Sequence, residues 1–297
     1  IAMRAGIALV LAASLGAAQV TEQISLGPNG VQPPGGADLV PGGRYVSQDG
    51  RFVAFRCGSS NMVPVDTNGQ QDVFVRDRVT GTNEIASLNS AGIQSNGNSG
   101  LFGFCISADG RFVAFWSVAN NLVAGGTNGV VDIFLRDRLN GTTERVSVAS
   151  GGVQGNAASD YPALSPDGRY VAFYSDASNL VPGDVNGVGD VFVRDRLTGT
   201  TELISVSSAG IQGNAYSLNP SVSADGRFVA FHGGATNLVP GDTNGTFDVF
   251  VRDRLNGTTE RVNISSSGLQ GNGASSFPSI SGDGRYVTFT SEATTLV

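Results

Sequence analysis

The residues best suited to chemistry are oxygen donors in three copies of the string Asp-x-Asn-Gly-x-x-Asp: Asp66, Asn68 and Asp72; Asp184, Asn186 and Asp190; Asp242, Asn244 and Asp248. Oxygens this close together, around a bend that glycine permits, can wrap a hard cation. Calcium takes about six to eight oxygen ligands, backbone carbonyls and water included. A further copy keeps Asn128 and Asp132 but has Gly126 for the first aspartate, so a weaker or empty site is expected there. The same residues also build a bare Asx turn, in which Asp and Asn bond their own backbone and Gly supplies positive φ. The sequence leaves calcium and the bare turn both open.

A second set of candidates differs from copy to copy of a repeat described below. After an Ala-Phe or Thr-Phe pair come Arg56, Trp116, Tyr174, His232 or Thr290, and four later copies open on Gly103, Tyr161, Asn219 or Phe277. Positions that vary suit specificity better than positions that repeat. Trp116, Tyr174, His232, Tyr161, Asn219 and Phe277 are therefore the candidate ligand-binding residues, with loose blade-to-blade packing as the alternative. His232 is the single histidine, and neither G-x-S-x-G nor H-E-x-x-H occurs. Catalysis would have to rest on Asp160, Tyr161 and His232. Cys57 and Cys105 are the two cysteines. In an exported chain they permit a disulfide, worth about 4 kcal/mol on the loop-entropy model. Two small buried residues is the competing reading.

These residues are positioned by a repeat. The string S-x-D-G-R-[FY]-V-[AT]-F recurs with its aspartate at 49, 109, 167, 225 and 283, a period of 58 to 60 residues. Such a period marks supersecondary units that bury their faces only against neighbours. Each unit reads as four strands. In one copy these are 219–223, 227–231, 248–254 and 258–265, with Asn256-Gly257 as a hairpin turn. The second and third strands are apolar on both faces, as in a sheet covered on both sides. The prediction is an all-β propeller of four-stranded antiparallel blades over 19–297, with copies near 43–102, 103–160, 161–218, 219–276 and 277–297, the last blade incomplete. In such a meander the Asp/Asn loops and the Gly-x-Gln-[GS]-Asn segments (Gln94, Gln154, Gln212, Gln270) share one face. The glutamines and the asparagines beside them are expected to tie adjacent blades by hydrogen bonds. The charges of Arg-Asp-Arg, as at Arg194, Asp195 and Arg196, are expected to pair across the hairpin with Glu202.

The repeated string, with Pro162, Pro220 and Pro278 nearby, resembles the WD-repeat-like propeller repeats of TolB-like proteins, over residues 21–297. The resemblance implies a β-propeller and leaves function open, since propellers host unrelated activities. The Asp/Asn loops are similar to a shortened form of the calcium loops of FG-GAP propeller repeats, lacking one of their acidic positions.

Composition narrows the partners. Charged residues are 14% of 297, glycine numbers 42, every cation is arginine, and the net charge of −7 with a pI near 4.7 argues against nucleic acid. Residues 1–18 read as a signal peptide: Met3 and Arg4, an apolar stretch over 5–15, and small residues Gly16, Ala17 and Ala18 before Gln19. No other segment reads as transmembrane. The chain enters in mid-blade, because 21–26 matches a fourth strand, and it stops after a second strand, as a truncated or longer protein would. The expectation is a secreted, periplasmic or surface-held binding or scaffold propeller, with calcium as its cofactor and a protein or glycan on the long-loop face. The alternatives are a glycan- or peptide-cleaving enzyme and a filament-forming surface protein.

Overall fold

The structure is a computed structural model that describes residues 8–11, 20–39, 43–125 and 128–297. Of the expected signal peptide, 1–18, only Ala8–Leu11 falls among them, as a short strand paired with Val20–Gln23; the rest, with Gly126, lies outside the described residues.

Four sheets of four antiparallel strands follow one another, and a fifth has two. Blade 1 comprises Ala37–Asp38, Phe52–Cys57, Asp72–Asp77 and Thr82–Ile85; blade 2, Ser99–Ile106, Phe112–Ser117, Asp132–Asp137 and Thr142–Arg145. Blade 3 comprises Ser159–Leu164, Tyr170–Ser175, Asp190–Asp195 and Thr200–Leu203; blade 4, Ser217–Val222, Phe228–Gly233, Asp248–Asp253 and Thr258–Arg261. Blade 5 has Ser275–Ile280 and Val287–Ser291. The all-β propeller expectation holds. The fourth strand ends at Arg261, earlier than the sequence suggests, because the chain then turns into an isolated bridge from Ile264 to Gln270.

The core lies between blades. One cluster joins Trp116, Ile133 and Leu135 of blade 2 to Val171, Phe173 and Phe192 of blade 3. The middle strands therefore bury both faces, and Phe173 and Phe192, directly paired across strands, stack at 5.9 Å with no exposure. A blade alone would leave both of these faces in water, which makes the neighbours mutually necessary.

The invariant charges serve the same end, though not as expected. Glu202 stands opposite Val193 in the hairpin register, out of line with Arg194 and Arg196. Asp195 instead takes two hydrogen bonds from Arg169 of its own blade, at 2.9 and 2.7 Å. Arg196 reaches back to Glu144 of blade 2, and Glu202 receives Arg254 of blade 4 at 2.8 Å. The same link joins Arg138 to Glu84, and Arg78 to Glu22. Residues 20–26 thus meet blade 1 as each fourth strand meets the blade after it. The expected hairpin pair is an inter-blade latch.

The turn of S-x-D-G-R shows why its glycine repeats. Gly168 has φ 75°, and a Cβ there would fall 2.2 Å from Phe112 of the preceding blade. The aspartate before it, Asp167, accepts the Ser165 hydroxyl and the Arg169 backbone N–H, as a turn aspartate should.

The first strands of blades 2 to 5, with the segment around Gly43 that follows the first strand of blade 1, surround a common axis. Gly43, Gly103, Tyr161, Asn219 and Phe277 line a channel of about 20 Å³ there, with room for little more than one water. In each complete first strand the register shifts at this point. Tyr161, Asn219 and Phe277 hold left-handed backbone with φ of 52°, 48° and 53°.

Candidate functional site

The Asp/Asn loops and the Gln/Asn segments do share a face. Gln94 bonds the loop of its own blade, donating to the Val65 carbonyl, and Asn96 reaches the next blade, donating to Asn120 at 2.6 Å. Asn121 returns a hydrogen bond to the Gln94 carbonyl. The amides join adjacent blades, as expected.

Within the loops the asparagines are committed. Asn186 donates to Asp190 at 2.7 Å and to the Gly213 carbonyl at 3.0 Å, while its own oxygen accepts the Val188 backbone N–H. Asn68 and Asn244 do the same with Asp72 and Asp248. Each amide thus turns hydrogens toward the buried aspartate, the opposite of what a cation needs. Among the described residues no three His, Cys, Asp or Glu side chains gather as a metal cluster. The arrangement is that of an Asx turn.

The loops differ in charge. Asp72, Asp132, Asp190 and Asp248 are all fully buried. In blade 4, Arg261 stands 3.3 Å from Asp248 and 3.5 Å from Asp242; in blade 2, Arg145 stands 3.2 Å from Asp132. Ile85 and Leu203 hold that place in blades 1 and 3. There, burial and the neighbouring loop acid raise the carboxyls: Asp190 is pushed up to about 6, and Asp72 is raised as well. Asp66 adds a buried oxygen with no hydrogen-bond partner.

The second region is the mouth of the axial channel on the long-loop face. Cross-strand register sets Asp160 opposite Tyr174, Leu218 opposite His232 and Asp38 opposite Arg56. Trp116, Tyr174 and His232 are buried at 5–7% exposure, while Tyr161, Asn219 and Phe277 line the channel. The variable positions that the sequence singles out are therefore brought together. Trp116 meets Phe102 edge-on at 5.4 Å, and Tyr161 meets Tyr174 at 6.4 Å. His232 lies between Phe247 at 5.6 Å and Phe277 at 5.7 Å. The sequence reading missed Phe102, Asp176, Tyr216 and Phe247. Phe247 occupies a loop position where other copies have Gln71, Val131 and Gly189, and alignment of the copies exposes it.

The mouth is polar in unusual ways. Burial pushes His232 down to about 4, so it is neutral at pH 7, and its Nδ1 has no partner. Burial pushes Asp160 up to about 6, against the opposing pull of the Trp116 indole N–H, which faces it without reaching hydrogen-bond geometry. The Tyr174 hydroxyl donates to Asp176. Arg56 Nε and Asn219 Oδ1 are likewise buried without partners. Buried polar groups in folded proteins are nearly always bonded, so such a concentration is informative.

Cys57 and Cys105 are buried and unbonded, as in the reading of two small buried residues that the sequence left open beside a disulfide. Cys57 packs with Phe55 and Phe74 of blade 1, and Cys105 lies in the separate cluster between blades 2 and 3. Burial pushes the Cys105 thiol up to about 12.

No protein-family profile matches the sequence, and no curated protein sequence matches it. Solved structures do. A putative TolB from Agrobacterium tumefaciens superposes with a TM-score of 0.51 at 18% identity, over 86% of this chain and 70% of that one. TolB from Acinetobacter baumannii gives 0.50 at 19%, over 94% and 53%. The β-propeller domain of the Trilobed protease from Pyrococcus furiosus gives 0.51 at 12%, over 92% and 65%. The chain thus has the β-propeller fold of the TolB structures and spans about half the length of the second. Among the described residues no helix is long and apolar enough to cross a membrane.

Proposed function

We propose that this chain is an exported propeller that acts as a binding module, taking a protein partner on the long-loop face. One observation carries this reading. Residues that repeat in every blade are spent on packing and latches, whereas residues that differ between blades meet at the axial mouth. Around it Phe102, Tyr216, Phe247 and Phe277 are 41–51% exposed, an unusual density of solvent-facing rings. The test compares the native chain with a Tyr216→Ala/Phe247→Ala variant of equal thermal stability, against a panel of purified exported proteins and a glycan array. A protein ligand bound by the native chain and lost in the variant supports the reading. Binding to glycans alone moves it to the carbohydrate class.

A catalytic reading is favoured by one feature, the raised carboxyl of Asp160 beside Tyr161 and Tyr174. Turnover of a polysaccharide or peptide that Asp160→Asn abolishes would establish it.

The calcium proposal attaches to blades 1 and 3, where two carboxylates lack a guanidinium. Asn68 and Asn186 would have to turn their amides over to present oxygen. A rise in melting temperature with calcium that disappears in an Asp66→Asn/Asp184→Asn variant supports it; an unchanged melting temperature rejects it.

A further inference from the structure

We propose that the end of the axis opposite the mouth is a second binding site, which takes a carboxylate carried on a short apolar body. This goes beyond the binding-module reading and uses other residues.

The S-x-D-G-R turns lie at the far end of the strands from the Asp/Asn loops. The residue before the aspartate of each turn, from Gln48 to Gly282, lines a cavity of about 460 Å³ there, together with Arg44 and Val46. Backbone hydrogen bonds fix this rim. The Gln48 N–H donates to the Ala108 carbonyl, Ala108 to Pro166, and Ala224 to Gly282, at 2.8–2.9 Å. The Gly282 N–H, next in the series, has no hydrogen-bond partner among the described residues.

Arg44 is out of place in two ways. Five residues before the turn aspartate the other copies have Phe104, Pro162, Pro220 and Pro278. Those side chains line the narrow axial channel. In blade 1 Tyr45 lines it instead, with its ring 4.8 Å from Phe104, while Arg44 lines the wider cavity. Arg44 also makes no ion pair, side-chain hydrogen bond or ring contact, whereas every other described arginine makes at least one. Its carbonyl accepts the Ile106 N–H at 2.9 Å, so its backbone is tied to blade 2. It is the single charged residue in the lining of this cavity.

These donors select the ligand. A guanidinium presents its N–H groups in a fork that matches a carboxylate, and the Gly282 N–H is a further unused donor in the same lining. Val46, Ala108, Pro166 and Ala224 offer apolar wall to a short chain, and the volume falls within the usual range of small-ligand sites. A neighbouring cavity shares Gln48, Ala108 and Pro166 but is lined by Asp49, Asp109 and Asp167 with no cation. Those carboxylates oppose a dianion such as phosphate more than a single carboxylate.

Saturation-transfer NMR from the native chain to a probe, at low salt, tests the site. Butyrate is expected to bind saturably, and n-butanol not to bind. Arg44→Gln should weaken butyrate by about tenfold or more, as loss of a charge-assisted bond implies. Ala224→Leu fills the cavity with Arg44 in place and should weaken it too, with melting temperatures confirming that both variants fold. N-acetyl-valine, a chain-end mimic, separates the two sources of the carboxylate. Tighter binding than butyrate assigns a partner's carboxy terminus, and equal or weaker binding a free short-chain acid. The proposal fails if butyrate does not saturate, if n-butanol or inorganic phosphate binds as tightly, or if a folded Arg44→Gln binds butyrate like the native chain. Tyr216→Ala/Phe247→Ala should leave butyrate binding unchanged, and its loss there would overturn the site by moving the carboxylate to the mouth. A protein ligand lost in that variant, with no butyrate bound by any form, would remove this site and keep the binding-module reading.

Discussion

Blades 3 and 4 bury equivalent aspartates, Asp190 and Asp248, each beside a second loop acid, Asp184 or Asp242. They differ in the last residue of the fourth strand. Arg261 reaches both acids of blade 4, while blade 3 has Leu203, which packs into the apolar cluster with blade 2. Blade 3 therefore holds its carboxylate with neutral donors only, the Ser205 hydroxyl at 2.5 Å and the Asn186 amide. Blade 4 uses a cation and the Asn263 amide. The contrast teaches that the repeat specifies a buried carboxylate, and that its counter-charge is chosen blade by blade.

Converting blade 4 toward blade 3 gives the largest expected effect. Arg261→Leu leaves two acids without their cation, and loss of one partner from a buried pair costs about 3 kcal/mol. Urea denaturation would measure it, and a cost below about 0.5 kcal/mol would mean that Arg261 does not set the charge balance. The reverse change, Leu203→Arg, is expected to do less. It adds a counter-charge but removes apolar packing, so a net gain of about 1 kcal/mol at pH 7 is the upper expectation.

The pH profile sharpens the comparison further. The carboxyl of Asp190 lies near 6 when folded and near 3.8 when unfolded, so the folded chain binds the extra proton. Its contribution to stability therefore rises as pH falls from 7 to about 4. Asp190→Asn should flatten that window, and Leu203→Arg should shift it downward. An unaltered profile in both would contradict the assignment. Asp77 and Asp253 run the opposite way. Their arginine partners, Arg51 and Arg227, hold them down to about 2, so the stability they add is present above pH 3.8 and disappears as pH falls through 2.

The smallest effect belongs to a feature that both blades share. Glu144→Gln and Glu202→Gln each break one latch whose glutamate side chain is 40–50% exposed. Exposed pairs contribute about 0–1 kcal/mol, and the two variants should match within error. Unequal costs would show that the latch, too, differs between blades.

The fold was legible because the period repeats a whole hydrogen-bonded unit, and because Val-x-Phe runs bury both faces in each of the four complete blades. The latches were hidden. Arg196 and Glu144 lie a repeat apart, and a periodic sequence offers the nearer Glu202 as an equally good partner until register is known. At the mouth, comparison of the copies identified Trp116, Tyr174 and His232. It missed Tyr216, which aligns with Ala158 and Ala274, and Asp176, which aligns with Val118, Gly234 and Glu292, because only the residues next to the repeated string were compared. The cysteines stayed ambiguous because a count of two says nothing about which face of a blade each one occupies, and the fold puts them in separate clusters.

The backbone at the axis has a consequence for evolution of this surface. Left-handed φ costs a non-glycine residue roughly 1 kcal/mol or more. The equivalent residue in blade 2, Gly103, also has positive φ, at 134°, and lines the same channel without a side chain. Tyr161, Asn219 and Phe277 thus keep rings or an amide where glycine would fold more easily. Tyr161→Gly should melt at a higher temperature and recognise less, a trade-off between robustness and selectivity set at the hub of the propeller.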